Sequence, residues 1–379
     1  MDIRQANQVI KVNLENLQTP CLVLDKGILE RNLKRMSDTV HKNGVALRPH
    51  LKTAKSAEVA RMATAGEAGG ITVSTLAEAE YFAGHGFRDI LVAAAQPPLK
   101  LDRAAKLVDR GVSITLVTDD PGLARAIAAH PGAFRVLIEL DSGDGRAGIK
   151  PEDRSLIEIG HALDDKLAGV MTHAGHSYEC RDPECIAIVA ETERSTVLTA
   201  ASRLRDAGMH CDIVSVGSTP TMTYAENLEG VTEARPGVYM SQDLMQVEIG
   251  VCRKEDIALT VLASVIGSNK SENRVLIDAG ALALSKDRST QSTPHDAGFG
   301  EVWDISAKSS YGPCIVMRVY QEHGVVTSSE QLPFDELALG TKVRIGPNHA
   351  CITAAAHERY YVVDGGKEVI AEWDRINGW

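Results

Sequence analysis

The chain has 379 residues and an ordinary globular composition, with 44% hydrophobic, 24% charged and only 4% aromatic residues. This length suits one large domain and one smaller domain. The formal net charge of −11 and the low aromatic share argue against a nucleic-acid partner, and no apolar run approaches the ~20 residues that a membrane span needs.

The opening segment and the cysteines indicate a cytoplasmic protein. Residues 1–18 mix charged and polar side chains and lack the apolar core of a signal peptide. The seven cysteines are odd in number and their spacing gives no disulfide framework, so we expect free thiols.

Short β-branched runs alternate with helical stretches over the first two thirds of the chain. Such alternation predicts parallel strands joined by helical crossovers, and eight units in about 200 residues favour a (β/α)8 TIM barrel. A doubly wound open sheet is the alternative, but no G-x-G-x-x-G turn supports it. The predicted strands are residues 45–52, 69–75, 89–94, 113–119, 134–141, 167–173, 212–218 and 233–239, and the helices include residues 55–65, 76–85, 101–109, 123–129 and 184–207.

After Val247 the pattern changes to strand-like runs separated by turn residues, which predicts a mainly antiparallel β domain. Residues 10–24 are also strand-like and are predicted to pair with it. We therefore expect a barrel domain over residues 22–248 and a β domain formed by residues 1–21 and 249–379. The strand-like runs are residues 257–266, 274–278, 314–320, 342–345 and 360–363.

Function in such a barrel gathers at the carboxyl ends of the strands, where Lys52 and Arg235 fall. A buried lysine is costly there unless it forms a Schiff base, and the alternative is a solvated lysine. Arg235 is either an ion-pair partner in the barrel wall or a permanent cation facing a pyridine nitrogen.

Residues 217–221, Gly-Ser-Thr-Pro-Thr, follow the seventh predicted strand. Together with Gly237 on the eighth strand they are typical of a phosphate cradle, although Ser-Thr-Pro also marks an ordinary helix cap.

His349 and Cys351 are two residues apart in a predicted strand, which puts both side chains on one face. An imidazole and a thiolate suit zinc, and a two-ligand site leaves positions open for water and substrate, as catalysis requires. The alternative is a surface histidine beside a buried cysteine.

Six segments in this order resemble the metal-activated D-serine dehydratase and D-threonine aldolase family, whose members share the alanine-racemase-like pyridoxal-phosphate fold. The resemblance extends over nearly the whole chain. The segments are LRPHLKTAK (47–55), THAGHSYE (172–179), SVGSTPT (215–221), EARPGVY (233–239), EHG (322–324) and PNHAC (347–351).

The resemblance implies pyridoxal 5'-phosphate, a divalent metal (zinc or manganese), a small D-amino acid as substrate and a homodimer. It makes Lys52 the Schiff-base lysine and base, and makes His349 and Cys351 the metal pair. It assigns the phosphate to Ser218, Thr219, Gly237 and Val238, the pyridine nitrogen to Arg235, the back of the ring to His173, and a cofactor or phosphate contact to Tyr178.

Family members that are D-threonine aldolases carry His-x-Asp at the metal pair, so Cys351 favours a dehydratase. The expected reaction removes water from D-serine or D-threo-3-hydroxyaspartate and gives a 2-keto acid and ammonia. An aldolase that gives glycine and an aldehyde is the alternative, and a racemase ranks below both. Candidates for holding a substrate side-chain carboxylate are Arg146, His176, Gln321 and His323.

Overall fold

The computed structural model describes residues 12–379, whose strands form two sheets. One sheet has eight parallel strands, and the other has nine strands and is mainly antiparallel. The strands are β1 (Cys21–Asp25), β2 (Ala46–Leu47), β3 (Ile71–Val73), β4 (Asp89–Val92), β5 (Ser113–Thr118), β6 (Arg135–Leu140), β7 (Leu167–Thr172), β8 (Ile213–Val216), β9 (Glu233–Ala234), β10 (Leu259–Asn269), β11 (Arg274–Ile277), β12 (Glu301–Asp304), β13 (Ser310–Val319), β14 (Gly324–Ser328), β15 (Lys342–Gly346), β16 (Arg359–Val363) and β17 (Ala371–Asp374).

The parallel sheet runs in the order β2-β9-β8-β7-β6-β5-β4-β3. It closes between its first and last strands, because the N–H of Leu51 donates to the carbonyl of Thr72 at 2.8 Å and the N–H of Thr72 donates to the carbonyl of Pro49 at 2.9 Å. The predicted (β/α)8 barrel is therefore confirmed.

Proline shortens two barrel strands relative to the predicted residues 45–52 and 233–239. Pro49 and Pro236 have no N–H to donate to a ladder, and β2 and β9 keep only two residues each. Lys52 and Gly237 lie in the segments that follow these two prolines at the barrel mouth.

Two of the predicted barrel helices, α5 and α7, begin at aspartate caps. Asp120 and Asp182 accept the N–H groups of Leu123 and Cys185, at 2.6 and 2.8 Å, and a proline follows each cap. The five predicted helices form within two residues of their predicted ends, whereas α1 and α6 were not predicted. In the described part of the chain, no helix combines the length and the apolar character that a bilayer crossing requires. The helices are α1 (Lys26–Lys42), α2 (Ala57–Ala63), α3 (Leu76–Gly84), α4 (Leu101–Val108), α5 (Pro121–Ala129), α6 (Ser155–Leu163), α7 (Pro183–Asp206), α8 (Thr219–Tyr224), α9 (Leu244–Glu248), α10 (Ala281–Leu284) and α11 (Ala350–Ala355).

The second sheet runs in the order β11-β14-β13-β12-β15-β10-β1-β16-β17. Its neighbours are antiparallel except β1 and β16, so the predicted β architecture is confirmed. The predicted runs became β10, β11, β13, β15 and β16. The strands β12, β14 and β17 were missed because each has only four or five residues and gives little periodic signal.

Strand β1 belongs to this second sheet, although most of its residues fall in the predicted barrel range 22–248. Of the strand predicted at residues 10–24, Cys21–Asp25 forms a strand and Leu14–Asn16 forms a short 3-10 helix, while residues 10–11 lie outside the described residues. The two domain ranges stay a prediction.

The expectation that all cysteines are free thiols is wrong for one pair. Cys180 and Cys185 form a disulfide with an S–S distance of 2.09 Å. The turn capped by Asp182 at the start of α7 brings their Cα atoms to 5.6 Å, which is within the reach of a disulfide. The other five cysteines, Cys21, Cys211, Cys252, Cys314 and Cys351, are free.

Candidate active site

A cavity of about 420 Å³ lies at the carboxyl ends of the barrel strands and is completed by the second sheet region. It brings together side chains that are up to 299 positions apart in the sequence, since Lys52 and Cys351 both line it. Among the residues predicted to hold the cofactor or the metal, Thr219 is the one that does not line the cavity. The predicted residues that do line it are Lys52, His173, Tyr178, Ser218, Arg235, Gly237, Val238, His349 and Cys351.

Lys52 is half-buried in the turn that follows β2. It also lines an adjoining cavity of about 380 Å³, whose walls include Glu139 and Arg146. The Lys52 side chain therefore borders both spaces and is placed to react with a molecule bound in the barrel mouth. Its assignment as the cofactor lysine stays a prediction.

The turn after β8 carries most of the residues predicted to form the phosphate cradle. Gly217 has φ +130°, and a Cβ there would lie 2.6 Å from the backbone nitrogen of Arg235. A Cβ on Gly237 would lie 2.9 Å from the carbonyl oxygen of His50. Ser218 caps α8 in a capping box with Thr221. Each glycine therefore permits a close approach between neighbouring backbone segments, and the cradle itself stays a prediction.

His173 stands at the end of β7, and its Nδ1 atom is 3.1 Å from the carbonyl oxygen of Gly217. Burial, assisted by the charge of Lys52, lowers the pKa of His173 to about 3. A neutral imidazole that donates from Nδ1 leaves Nε2 unprotonated and available to a cofactor ring.

Arg235 is 3% exposed and donates to the carbonyl of Thr172 at 2.6 Å and to the hydroxyl of Ser215. The same hydroxyl donates to Glu233 at 2.6 Å, and Glu233 accepts from Arg48 at 2.7 Å. Burial lowers the pKa of Arg235, and the carboxylate of Glu233 opposes this shift. Arg235 thus belongs to a buried charge network and also lines the cavity, and its predicted position at a pyridine nitrogen stays a prediction.

Tyr178 lies in the short 3-10 helix Gly175–Glu179 and lines the cavity. Burial raises the pKa of its phenol, and the nearby backbone of Thr219 opposes this shift. The hydroxyl of Thr219 accepts the N–H of Tyr239 at 3.0 Å.

The prediction that His349 and Cys351 lie on a strand is wrong. Strand β15 ends at Gly346, His349 caps α11, and Cys351 lies in its first turn. Pro347 cannot extend the ladder, and the alanine-rich residues 350–356 favour a helix. The two side chains still come together, because both line the same cavity and the imidazole lowers the pKa of the thiol.

Two further residues hold this pair. The carboxylate of Asp287 is hydrogen-bonded to Nδ1 of His349, and the hydroxyl of Thr53 lies 2.9 Å from Sγ of Cys351. Burial disfavours a charged His349, but the bonds to Asp287 and Cys351 prevail and raise its pKa to about 11. Burial likewise opposes the thiolate, yet His349 and Lys52 lower the pKa of Cys351 below its usual value.

The pair fits a divalent metal by the chemistry of its donors, with a carboxylate orienting the imidazole as in many metal sites. In the described residues no group of three or more His, Cys, Asp or Glu side chains could hold a metal. A metal here would have two protein ligands and would need water or substrate for the rest. Sequence reasoning missed Asp287 and Thr53, since neither belongs to a motif.

Of the four candidates for binding a substrate side-chain carboxylate, the structure places one at the cavities. Arg146 lines both cavities, and Asp144 lies 3.7 Å from it. His176, Gln321 and His323 line neither.

Comparison with protein families gives two matches that follow the two sheets. Residues 24–243 match the family model "Alanine racemase, N-terminal domain", and residues 258–363 match "Putative serine dehydratase domain".

Individual relatives extend over nearly the whole chain. D-threo-3-hydroxyaspartate dehydratase from Delftia sp. (strain HT23) is 43% identical over 97% of this chain and 99% of its own. D-serine dehydratase from Dictyostelium discoideum is 30% identical over 97% of this chain and 98% of its own. 3-Hydroxy-D-aspartate aldolase from Paracoccus denitrificans (strain Pd 1222) is 28% identical over 93% of this chain and 90% of its own. A solved structure of a D-threo-3-hydroxyaspartate dehydratase variant in the metal-free form is 42% identical. It covers 97% of this chain and 100% of its own, with a TM-score of 0.94.

Proposed function

The chain belongs to the alanine-racemase-like family of pyridoxal-phosphate lyases, and on that premise we propose that it removes water from a D-β-hydroxy-α-amino acid. The products are a 2-keto acid and ammonia, and the substrates are D-threo-3-hydroxyaspartate or D-serine. One observation carries this proposal: a cavity lined by Lys52 also holds the pair His349 and Cys351.

The residues that would hold the cofactor are Lys52 through its amine, Arg235 at the pyridine nitrogen, His173 behind the ring, and the cradle for the phosphate. When bound, pyridoxal phosphate withdraws electrons from Cα and thereby acidifies the Cα–H bond. Lys52 then removes the Cα proton from its own side of the substrate, which selects the D-enantiomer. With its pKa lowered to about 3, His173 is a weak base, so Lys52 is the better candidate for this proton transfer.

His349 and Cys351 would hold a divalent metal, zinc or manganese, which would help the β-hydroxyl to leave. Asp287 orients the imidazole of His349, and Thr53 contacts the sulfur of Cys351. The metal-free form named for a related structure supports a metal in the family. The thiolate favours zinc.

Aldol cleavage is the second candidate, because an aldolase relative is 28% identical over 93% of this chain. Cys351 argues against aldol cleavage, since D-threonine aldolases of this family carry a His-x-Asp motif where this chain has His349 and Cys351. Product analysis with D-threo-3-hydroxyaspartate, D-serine and D-threonine decides: keto acid and ammonia support the dehydratase, whereas glycine and an aldehyde, or the L-enantiomer, refute it.

We also propose a cytoplasmic homodimer. Leu282, Tyr320 and Ile352 are 56%, 54% and 48% exposed, and Ile352 directly follows Cys351. Such apolar exposure beside a site suits a second copy. The five free cysteines favour a reducing compartment, whereas the Cys180–Cys185 disulfide argues the other way. Light scattering on a sizing column tests the dimer, and cell fractionation tests the location.

A further inference from the structure

Glu193 is a completely buried carboxylate on α7 that bonds to the backbone of two site loops. Its Oε1 atom accepts the N–H of Ala174 at 3.1 Å and the N–H of Gly217 at 3.0 Å. Ala174 directly follows His173, and Gly217 directly precedes Ser218. One oxygen atom therefore connects the ends of β7 and β8, which carry the histidine and the cradle.

The Gly217 peptide is held from both sides. Its N–H donates to Glu193, and its carbonyl oxygen lies 3.1 Å from Nδ1 of His173. The next residue, Ser218, caps α8 and lies 3.0 Å, oxygen to oxygen, from the hydroxyl of Ser177. Glu193, His173 and the cradle are thus joined by one continuous set of hydrogen bonds.

The Glu193 carboxylate is a costly group to bury. Glu193 is 0% exposed, and its Oε2 atom makes no hydrogen bond with the described residues. Burial raises its pKa, against the opposing effects of the Gly217 N–H, the Thr221 hydroxyl and the Ala174 N–H. A buried acid destabilises the fold unless its oxygens accept hydrogen bonds. The two bonds that Oε1 accepts therefore offset part of the cost of burying Glu193.

We propose that Glu193 is a positioning residue for the cofactor, which fixes the distance between the His173 imidazole and the phosphate cradle. It does not touch the cofactor. The proposal rests on the proposed function, since it assumes that pyridoxal phosphate binds between these two loops.

The test compares Glu193→Leu with Glu193→Gln. Leucine removes the acceptor and leaves two buried N–H groups unpaired, whereas glutamine keeps an oxygen that can accept both. We expect the dissociation constant for pyridoxal phosphate to rise roughly ten- to hundred-fold in Glu193→Leu, and by no more than about three-fold in Glu193→Gln. The visible absorbance band of the bound cofactor should shift only in the leucine variant.

Val197→Ala is the matched control, because Val197 is also 0% exposed and lies one turn further along α7. It should lower the urea midpoint yet leave the cofactor dissociation constant and the absorbance band unchanged. Unchanged affinity and absorbance in a folded Glu193→Leu variant would overturn the proposal. An equal loss of cofactor affinity in Val197→Ala would also overturn it, since Glu193 would then act only through its packing in the core.

Should Glu193→Leu not fold, hydrogen exchange of the wild-type holoenzyme replaces it. The amides of Ala174 and Gly217 should exchange slowly, and exchange at the rate of exposed loops contradicts the proposal. Failure of the proposed function is distinguishable, because the wild-type protein itself would then bind no pyridoxal phosphate.

Discussion

Thr53, the residue after Lys52, places its hydroxyl 2.9 Å from the Sγ atom of Cys351. This contact joins the first barrel loop to the turn that carries the imidazole–thiol pair. A lysine amine and two metal-type donors are therefore held beside one cavity by contacts between the barrel and the second sheet region. Asp287 and Asp243 also hold the turn that carries the pair, through His349 and Ala350, and each leads to a separate prediction.

Replacing Asp287 by asparagine should weaken metal binding. The carboxylate fixes the orientation of the His349 imidazole, and loss of such a partner typically costs roughly 10- to 100-fold in metal affinity. Calorimetric titration of the metal-free protein with zinc and with manganese measures the change. Asp296→Asn is the control, because it removes a carboxylate paired with Arg288 in the same loop. An equal change in both variants would contradict the orienting role.

Replacing Asp243 by alanine should destabilise the fold and weaken metal binding together. Its carboxylate accepts the N–H of Ala350, between the two proposed ligands, at 2.9 Å and the N–H of Gln246 at 3.0 Å. Leaving both groups buried and unpaired should cost about 2–5 kcal/mol of unfolding free energy. Urea denaturation and metal titration measure the two effects.

The control for Asp243 is Asp120→Ala, which removes a helix cap on the barrel surface. It should cost about 1 kcal/mol and leave the metal affinity unchanged. If Asp243→Ala binds metal as tightly as the wild type, Asp243 does not hold the pair in place.

The cofactor-free protein should lose stability as the pH falls below 6.5. Burial lowers the pKa of His173 to about 3, so the folded protein keeps this imidazole neutral. The unfolded chain protonates it below about 6.5 and then binds more protons than the folded state. Its contribution is complete above pH 6.5 and is lost toward pH 3, at no more than about 1.4 kcal/mol per pH unit.

Urea midpoints at pH 7, 6 and 5, for the wild type and for His173→Asn, measure this dependence. Glu139 and Glu193 have raised pKa values and act in the opposite direction in both proteins. The difference between the two proteins therefore isolates His173, and the variant should lose less stability on acidification. Parallel curves would mean that His173 is not held neutral in the folded state.

The barrel could be predicted from the sequence because its signals are local. Six of its strands are β-branched runs of three to six residues, and their alternation with helices fixes a parallel sheet. Strands β2 and β9 were predicted too long, since Pro49 and Pro236 end them by the loss of a donor.

The residues that hold the site could not be predicted, because their partners are distant in the chain. Asp287 and His349 are 62 residues apart, Asp243 and Ala350 are 107 apart, and Glu193 and Gly217 are 24 apart. No periodicity or spacing links such pairs. The side chains of Lys52, His349 and Cys351 were found because each stands in a motif that resembles a family.

The most direct test of this account is to reduce the purified holoenzyme with borohydride and to map the modified peptide by mass spectrometry. Reduction fixes an imine between a lysine and pyridoxal phosphate, and we predict the added mass on Lys52 together with loss of the visible absorbance band. A Lys52→Ala variant should carry neither the mass nor the band. The added mass on another lysine, or no added mass in the wild-type protein, would contradict the account.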